Sequence, residues 1–170
     1  MRRSRKAALV FGVGGVLIVS VFATVAGAKP FFGTRGDDVI NGTNRRDLIM
    51  GRAGNDTLNG FGRRDVIFGG WGNDTVNAGD GNDLVFGGPG DDTLNGDAGN
   101  DRIFAQRGVD TVNGGPGNDT FHVRDGEPDH VTCGQGYDVV RADYKDVVAN
   151  DCELVIRRRA REKSRVENDD

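Results

Sequence analysis

Gly69-Gly70-Trp71-Gly72-Asn73-Asp74-Thr75-Val76-Asn77 is followed at once by Ala78-Gly79-Asp80-Gly81-Asn82-Asp83-Leu84-Val85-Phe86 and then by Gly87-Gly88-Pro89-Gly90-Asp91-Asp92-Thr93-Leu94-Asn95. These three nine-residue blocks share one layout: a glycine-rich start, aspartate in sixth place and an aliphatic residue in eighth. Cutting outward in the same register gives ten consecutive blocks from Gly33 to His122. The sixth position is aspartate in all ten, at Asp38, Asp47, Asp56, Asp65, Asp74, Asp83, Asp92, Asp101, Asp110 and Asp119. The eighth is apolar in all ten, at Ile40, Ile49, Leu58, Ile67, Val76, Val85, Leu94, Ile103, Val112 and Phe121. A fixed period of this kind marks an array in which each unit buries its apolar residue only by stacking on its neighbours.

Each block divides into two physical parts. The first six residues are turn chemistry, because glycine tolerates positive φ and close backbone approach. The last three form a short strand whose middle residue points inward while the seventh and ninth point outward. A second period of eighteen lies beneath the nine. The ninth position reads Asn41, Met50, Asn59, Phe68, Asn77, Phe86, Asn95, Phe104, Asn113 and His122, asparagine alternating with something larger. One turn of the coil therefore holds two blocks, odd blocks lining one sheet and even blocks the other. The expected fold is all-β, a parallel β-roll with two nonapeptides per turn.

The same stacking sets five aspartates in a row along each edge of the roll. Two carboxylates about 4.8 Å apart repel by about 1 kcal/mol in water and by about 3–4 kcal/mol at an effective dielectric of 20. A row of them opposes folding unless a counter-ion is present. Carboxylates together with turn carbonyls make an all-oxygen donor set, which suits a hard cation with many ligands, calcium rather than zinc or copper.

The pattern GGxGxDxUx resembles the hemolysin-type (RTX) calcium-binding nonapeptide, and Gly69–Asn77 and Gly87–Asn95 match it at every defined position. The resemblance spans residues 33–122 and implies a right-handed two-sheet solenoid with Ca2+ held between a turn and the turn one coil away. It pairs Asp38 with Asp56, Asp56 with Asp74, Asp74 with Asp92 and Asp92 with Asp110 on one edge. On the other it pairs Asp47 with Asp65, Asp65 with Asp83, Asp83 with Asp101 and Asp101 with Asp119. Arg45 and Arg63 replace the fourth-position glycine, with Arg46 and Arg64 beside them. Their guanidinium groups are expected to compete for Asp47 and Asp65, weakening the first site on that edge. Ala105-Gln106-Arg107 weakens the last site on the opposite edge. Five or six well-formed ions are expected.

Outside the repeats the chain changes character. Residues 1–28 carry Arg2, Arg3, Arg5 and Lys6, then an uncharged, mostly apolar run from Ala7 to Val25, and end in Ala26-Gly27-Ala28. That order reads as a cleaved signal peptide and places the mature protein outside the cell; a retained membrane anchor is the alternative. The full chain carries 22 Lys+Arg and 26 Asp+Glu. Loss of the leader removes four positive charges and no negative ones, leaving 18 against 26, a formal charge of −8. Such a balance suits cations and argues against nucleic acid, and no stable membrane span is expected after cleavage.

Residues 29–122 form the expected roll and 123–156 an irregular β capping segment. Cys133 and Cys152 lie there, nineteen residues apart and so near one full coil, a separation read as a disulfide. Residues 157–170 read as a charged, disordered tail. No Ser/His/Asp arrangement, P-loop or CxxC occurs, so no catalytic role is expected. The outer faces carry the remaining signals. Thr57/Asn59, Thr75/Asn77, Thr93/Asn95 and Thr111/Asn113 form a polar ladder suited to a crystalline glycan or to ice. Leu48/Met50, Val66/Phe68, Leu84/Phe86 and Phe104 form an apolar stripe on the opposite face.

Overall fold

The computed structural model describes residues 28–157. The signal segment and the charged tail lie outside these residues, apart from Ala28 and Arg157. Fifteen strands follow one another: β1 Lys29–Phe32, β2 Val39–Thr43, β3 Asp47–Ala53, β4 Thr57–Phe61, β5 Val66–Trp71, β6 Thr75–Asn77, β7 Leu84–Pro89, β8 Thr93–Asn95, β9 Arg102–Arg107, β10 Thr111–Pro116, β11 Thr120–His122, β12 His130–Gln135, β13 Val139–Ala142, β14 Val147–Val148 and β15 Leu154–Arg157. Odd strands form one eight-stranded sheet and even strands a seven-stranded one, each strand pairing with the strand two places on. Every pairing is parallel, and through the repeats the register is eighteen residues, as in Leu58↔Val76↔Leu94 and Ile67↔Val85↔Ile103. Among the described residues no helix is long and apolar enough to cross a membrane.

The eighth-position residues fill the space between the sheets. Ile49, Leu58, Ile67, Val76, Val85, Leu94, Ile103 and Phe121 are fully buried and belong to one cluster. That cluster continues past the repeats through Val123, Val131, Cys133, Val140 and Ala142. The segment expected as a cap therefore extends the roll: β12 pairs with β10 and β13 with β11, and only β14 and β15 are short or partly exposed. Cys133 and Cys152 are joined, with their Cα atoms 5.3 Å apart. At the other end the roll begins one strand before the first repeat. β1 lies on β3, with Phe31 opposite Ile49 and Lys29 opposite Asp47.

The ninth position separates the outer faces. On the even-strand sheet the asparagine amides bond to one another, Asn59 Nδ2 to Asn41 Oδ1 at 2.8 Å, Asn77 to Asn59 at 2.8 Å and Asn95 to Asn77 at 2.9 Å. On the odd-strand sheet the rings of Phe68, Phe86 and Phe104 stack at 4.8 and 4.9 Å, and His122 adds a fourth ring at 4.3 Å.

Glycine does different work at different places in the turn. Second-position Gly70 and Gly88 and fourth-position Gly72, Gly90, Gly99, Gly108 and Gly117 all have positive φ, between 116° and 153°. First-position glycines do not; they are needed for space, as the carboxylates below show. A Cβ on Gly90 would strike the carbonyl of Gly72 one coil back, at a φ of 141° that side chains rarely adopt. Gly90→Ala is therefore expected to destabilise the calcium-saturated protein by about 1–3 kcal/mol, read as a lower denaturation midpoint in urea.

Candidate metal centre: two ladders of buried carboxylates

Each turn delivers its sixth-position aspartate to the rim of the core, just ahead of the strand. Nine of the ten are buried, from Asp47 to Asp119, and Asp38 in the first turn is partly exposed. The backbone N–H of each donates to Oδ1 of the aspartate one coil on. Asp38 donates to Asp56, Asp56 to Asp74, Asp74 to Asp92 and Asp92 to Asp110, while Asp47 donates to Asp65, Asp65 to Asp83, Asp83 to Asp101 and Asp101 to Asp119. These distances lie between 2.6 and 2.8 Å, and the pairs are the eight expected from the repeat.

The ladders run further than the repeats. Asp110 donates to Asp129 at 2.9 Å, Asp119 to Asp138 at 2.7 Å, Asp129 to Asp146 at 3.3 Å and Asp138 to Glu153 at 2.8 Å. Asp129 escapes a strict nine-residue cut because the turn before it holds one extra residue, around Gly126-Glu127-Pro128. An apolar residue two places after an aspartate, Val131 after Asp129, is the signal that finds it.

The second carboxylate oxygen is the unusual feature. Oδ2 of Asp56, Asp65, Asp74, Asp83, Asp92, Asp101, Asp110, Asp119, Asp129 and Asp138, and Oδ1 of Asp47, are buried with no hydrogen-bond partner. Each unpaired buried acceptor costs roughly 1–3 kcal/mol, so eleven cost on the order of 10–30 kcal/mol, against a typical domain stability of about 5–15. Something beyond the chain must satisfy them, either a proton or a cation.

Backbone carbonyls of the next coil stand close to these oxygens. A Cβ built on first-position Gly96 would lie 2.6 Å from Asp101 Oδ2 and 2.7 Å from the carbonyl oxygen of Gly114 in the next coil. Gly51, Gly69, Gly87 and Gly114 stand likewise against Asp56, Asp74, Asp92 and Asp119 and the carbonyls of Gly69, Gly87, Ala105 and Cys133. A carboxylate and a backbone carbonyl thus converge on ground that a side chain would fill. That donor set fits a hard divalent cation. Cys133, Cys152 and Asp151 also approach one another, but the two sulfurs are already bonded together. His122 stacks on Phe104, and His130 heads β12 with its side chain exposed.

The first turns satisfy one carboxylate oxygen from within the chain. Asp38 Oδ2 accepts from Thr34 N–H and Oγ1 at 2.6 and 2.9 Å, and Asp47 Oδ2 from Thr43 N–H and Oγ1 at 2.6 and 2.8 Å. Threonine in second place, only in these two blocks, is the sequence signal. The arginines do not take this role. Asp47 Oδ1 and Asp65 Oδ2 remain without a partner although Arg45, Arg46, Arg63 and Arg64 stand in the same turns.

A second ladder braces the turns from outside. Fifth-position side chains accept from the backbone N–H of the following coil: Asp37 from Asn55, Asn55 from Asn73, Asn73 from Asp91 and Asp91 from Val109 on one edge, at 2.7–2.9 Å. On the other edge Asn82 accepts from Asn100, Asn100 from Asn118 and Asn118 from Tyr137, at 2.7–3.0 Å. The sequence reading passed over these residues, whose only mark is the preference for Asn or Asp in fifth place.

An array of parallel coils, with acidic turns whose inner oxygens are buried without partners, is the class that the fold and the site define. The family model of the RTX calcium-binding nonapeptide repeat (4 copies) matches residues 32–60, 62–85 and 86–121. The chain belongs to that family. No curated protein and no solved structure matches it.

Electrostatics gives the ion-free roll a characteristic pH response. Burial away from water lifts Asp65, Asp92, Asp101 and Asp129 to about 8, Asp83 to about 7, and Asp74, Asp110 and Asp119 to about 6. The N–H bond from the coil before opposes this rise, and neighbouring aspartates add to it at most sites. Because the folded pKa exceeds the unfolded one, the ion-free fold holds more protons than the open chain. Its stability is greatest below about pH 4 and falls as pH climbs towards 8. Circular dichroism in chelator is expected to show β structure in mild acid that is lost near pH 8, and saturating calcium should flatten that dependence.

Proposed function

We propose that this protein is an exported calcium-binding module whose β-roll is completed by Ca2+ held along both edges, with no catalytic role of its own. The observation that carries this reading is the run of buried, unpaired carboxylate oxygens facing backbone carbonyls one coil away. Ten aspartates are assigned as ligands: Asp38, Asp56, Asp74, Asp92 and Asp110 on one edge, and Asp47, Asp65, Asp83, Asp101 and Asp119 on the other. Asp129 and Asp138 join them, since each carries the same orphaned oxygen. Thr34 and Thr43 make Asp38 and Asp47 the weakest of the set.

Export accords with the cationic, apolar, small-residue order of residues 1–28. Outside the cell calcium is abundant, and a chain of formal charge −8 is held open by its own repulsion until it meets the ion. The flat polar face supports a second reading, adhesion to a crystalline glycan or to ice. Thr57, Thr75, Thr93 and Thr111 lie in strict register, beside asparagine amides already locked to one another.

Residues 29–170 titrated with calcium are expected to gain β signal cooperatively, and magnesium is expected to fail. A roll fully formed in chelator at pH 8 and indifferent to calcium would overturn the ion-coupled reading. Asp74→Asn with Asp92→Asn separates charge from packing. The amide oxygen can still accept the bond from the coil before, so the ion-free fold should become more stable while calcium affinity falls, read by calorimetric titration. The adhesion reading predicts calcium-dependent retention on ice or insoluble glycan that is lost in Thr75→Tyr with Thr93→Tyr.

A further inference from the structure

The edge that carries Asp47 and Asp65 begins differently from the rest of the roll. Arg45 and Arg46 occupy one turn and Arg63 and Arg64 the turn stacked on it, all four exposed. Lys29 lies opposite Asp47 at the start of the same edge, and its N–H donates to the Arg46 carbonyl at 3.2 Å. Five cations thus crowd three successive coils of an acidic protein. Further along this edge the same places hold Gly81-Asn82, Gly99-Asn100 and Gly117-Asn118.

This arrangement is unfavourable in three separate ways. Stacked guanidinium groups repel one another across the short spacing between coils. Arg46 and Arg64 displace the asparagines that brace the turns elsewhere. Arg63 has a φ of 68°, in the left-handed region, where fourth-position Gly54, Gly72, Gly90, Gly99, Gly108 and Gly117 also have positive φ. Phe61 in the same turn is left-handed as well, at 75°, and the residue is 51 % exposed. Left-handed backbone at such residues is a strain that persists at sites of function. Hydrogen bonding to the ladder does not compensate, since Asp47 Oδ1 and Asp65 Oδ2 are buried without partners and Asp65 Oδ1 is held by the Asp47 N–H, although the charge of Arg64 does favour ionised Asp83 in the next coil.

We propose that this edge is a docking surface for a uronate-bearing acidic polysaccharide. Guanidinium forks match carboxylates with paired hydrogen bonds, and the ring of half-exposed Phe61 offers an apolar face to a sugar. The surroundings select the kind of polyanion. Asp80 pairs with Gly62 in the next coil, and Asp97 follows on the same edge. A bilayer or a duplex would press its anions against those acids within the roughly 10 Å reach of charge at 0.1 M salt. A single flexible glycan chain crossing the two arginine turns brings fewer anions near those acids than a flat bilayer or a duplex does. The proposal uses neither the calcium ions nor the threonine face.

The test is binding of the calcium-loaded chain, residues 29–170, to immobilised hyaluronan at low ionic strength. Anionic vesicles, duplex DNA and polyglutamate serve as the competing surfaces. Binding is expected to weaken as salt rises. It should fall about tenfold or more in the variant R45G/R46N/R63G/R64N, which gives both turns the residues of their neighbours. That variant should fold with calcium at least as well as the parent, because a left-handed side chain is gone. R45Q/R46Q/R63Q/R64Q removes the charge alone and gives the same readout should the first variant fold poorly. Phe61→Gly should weaken hyaluronan binding and leave polyglutamate binding unchanged. Equal binding by parent and variants, no binding by the parent, or preference for vesicles, DNA or polyglutamate would each overturn the proposal.

Discussion

The hydrogen bond from one aspartate N–H to the aspartate carboxylate eighteen residues on is the interaction on which the rest of the molecule depends. It fixes the register between coils, because the sixth-place carboxylate of each coil reaches the N–H of the coil before. It draws the carboxylate under the rim of the core, where water is excluded. Using one oxygen for the ladder leaves the other buried without a partner, close to a backbone carbonyl of the next coil.

The turn therefore serves two masters. Its glycines at second and fourth place bend the chain through positive φ, as at Gly70 and Gly72, while first-position Gly69 leaves room for the Asp74 carboxylate. The apolar core is thin, one residue per block, so the coil relies on backbone ladders and side-chain ladders more than on burial. The fifth-position amides point their bonds the opposite way along the stack from the sixth-position carboxylates. Each turn is thereby held from both neighbours.

Much of the site was readable because its period is regular. The ten aspartates, their pairing at eighteen residues and the division into two sheets all follow from counting, and the structure sets those eight pairs at hydrogen-bond distance. Reading failed where the period slipped or where a residue acted outside its usual place. Asp129 was hidden by one inserted residue. Thr34 and Thr43 drew no separate reading from the sequence, although each caps the carboxylate four residues on. β1 carries lysine where the repeat has aspartate, so the strand that opens the roll was left out of the count. Arg45, Arg46, Arg63 and Arg64 were expected to compete for Asp47 and Asp65, but those side chains are exposed and Asp47 Oδ1 and Asp65 Oδ2 stay buried without a hydrogen-bond partner.

What the sequence by itself determined is the repeat unit and therefore the coil. An apolar eighth place, an acidic sixth and glycine around the turn leave few ways to stack, and the alternating ninth place leaves only two blocks per turn. What the tertiary structure alone decided is which atoms remain unsatisfied. Whether a carboxylate oxygen is bonded, orphaned or covered by a threonine depends on backbone direction and on the coil above, which are non-local quantities. Composition and spacing can place an aspartate on an edge. Only the packed coil shows that one of its oxygens has been taken out of water with nothing in the chain to receive it.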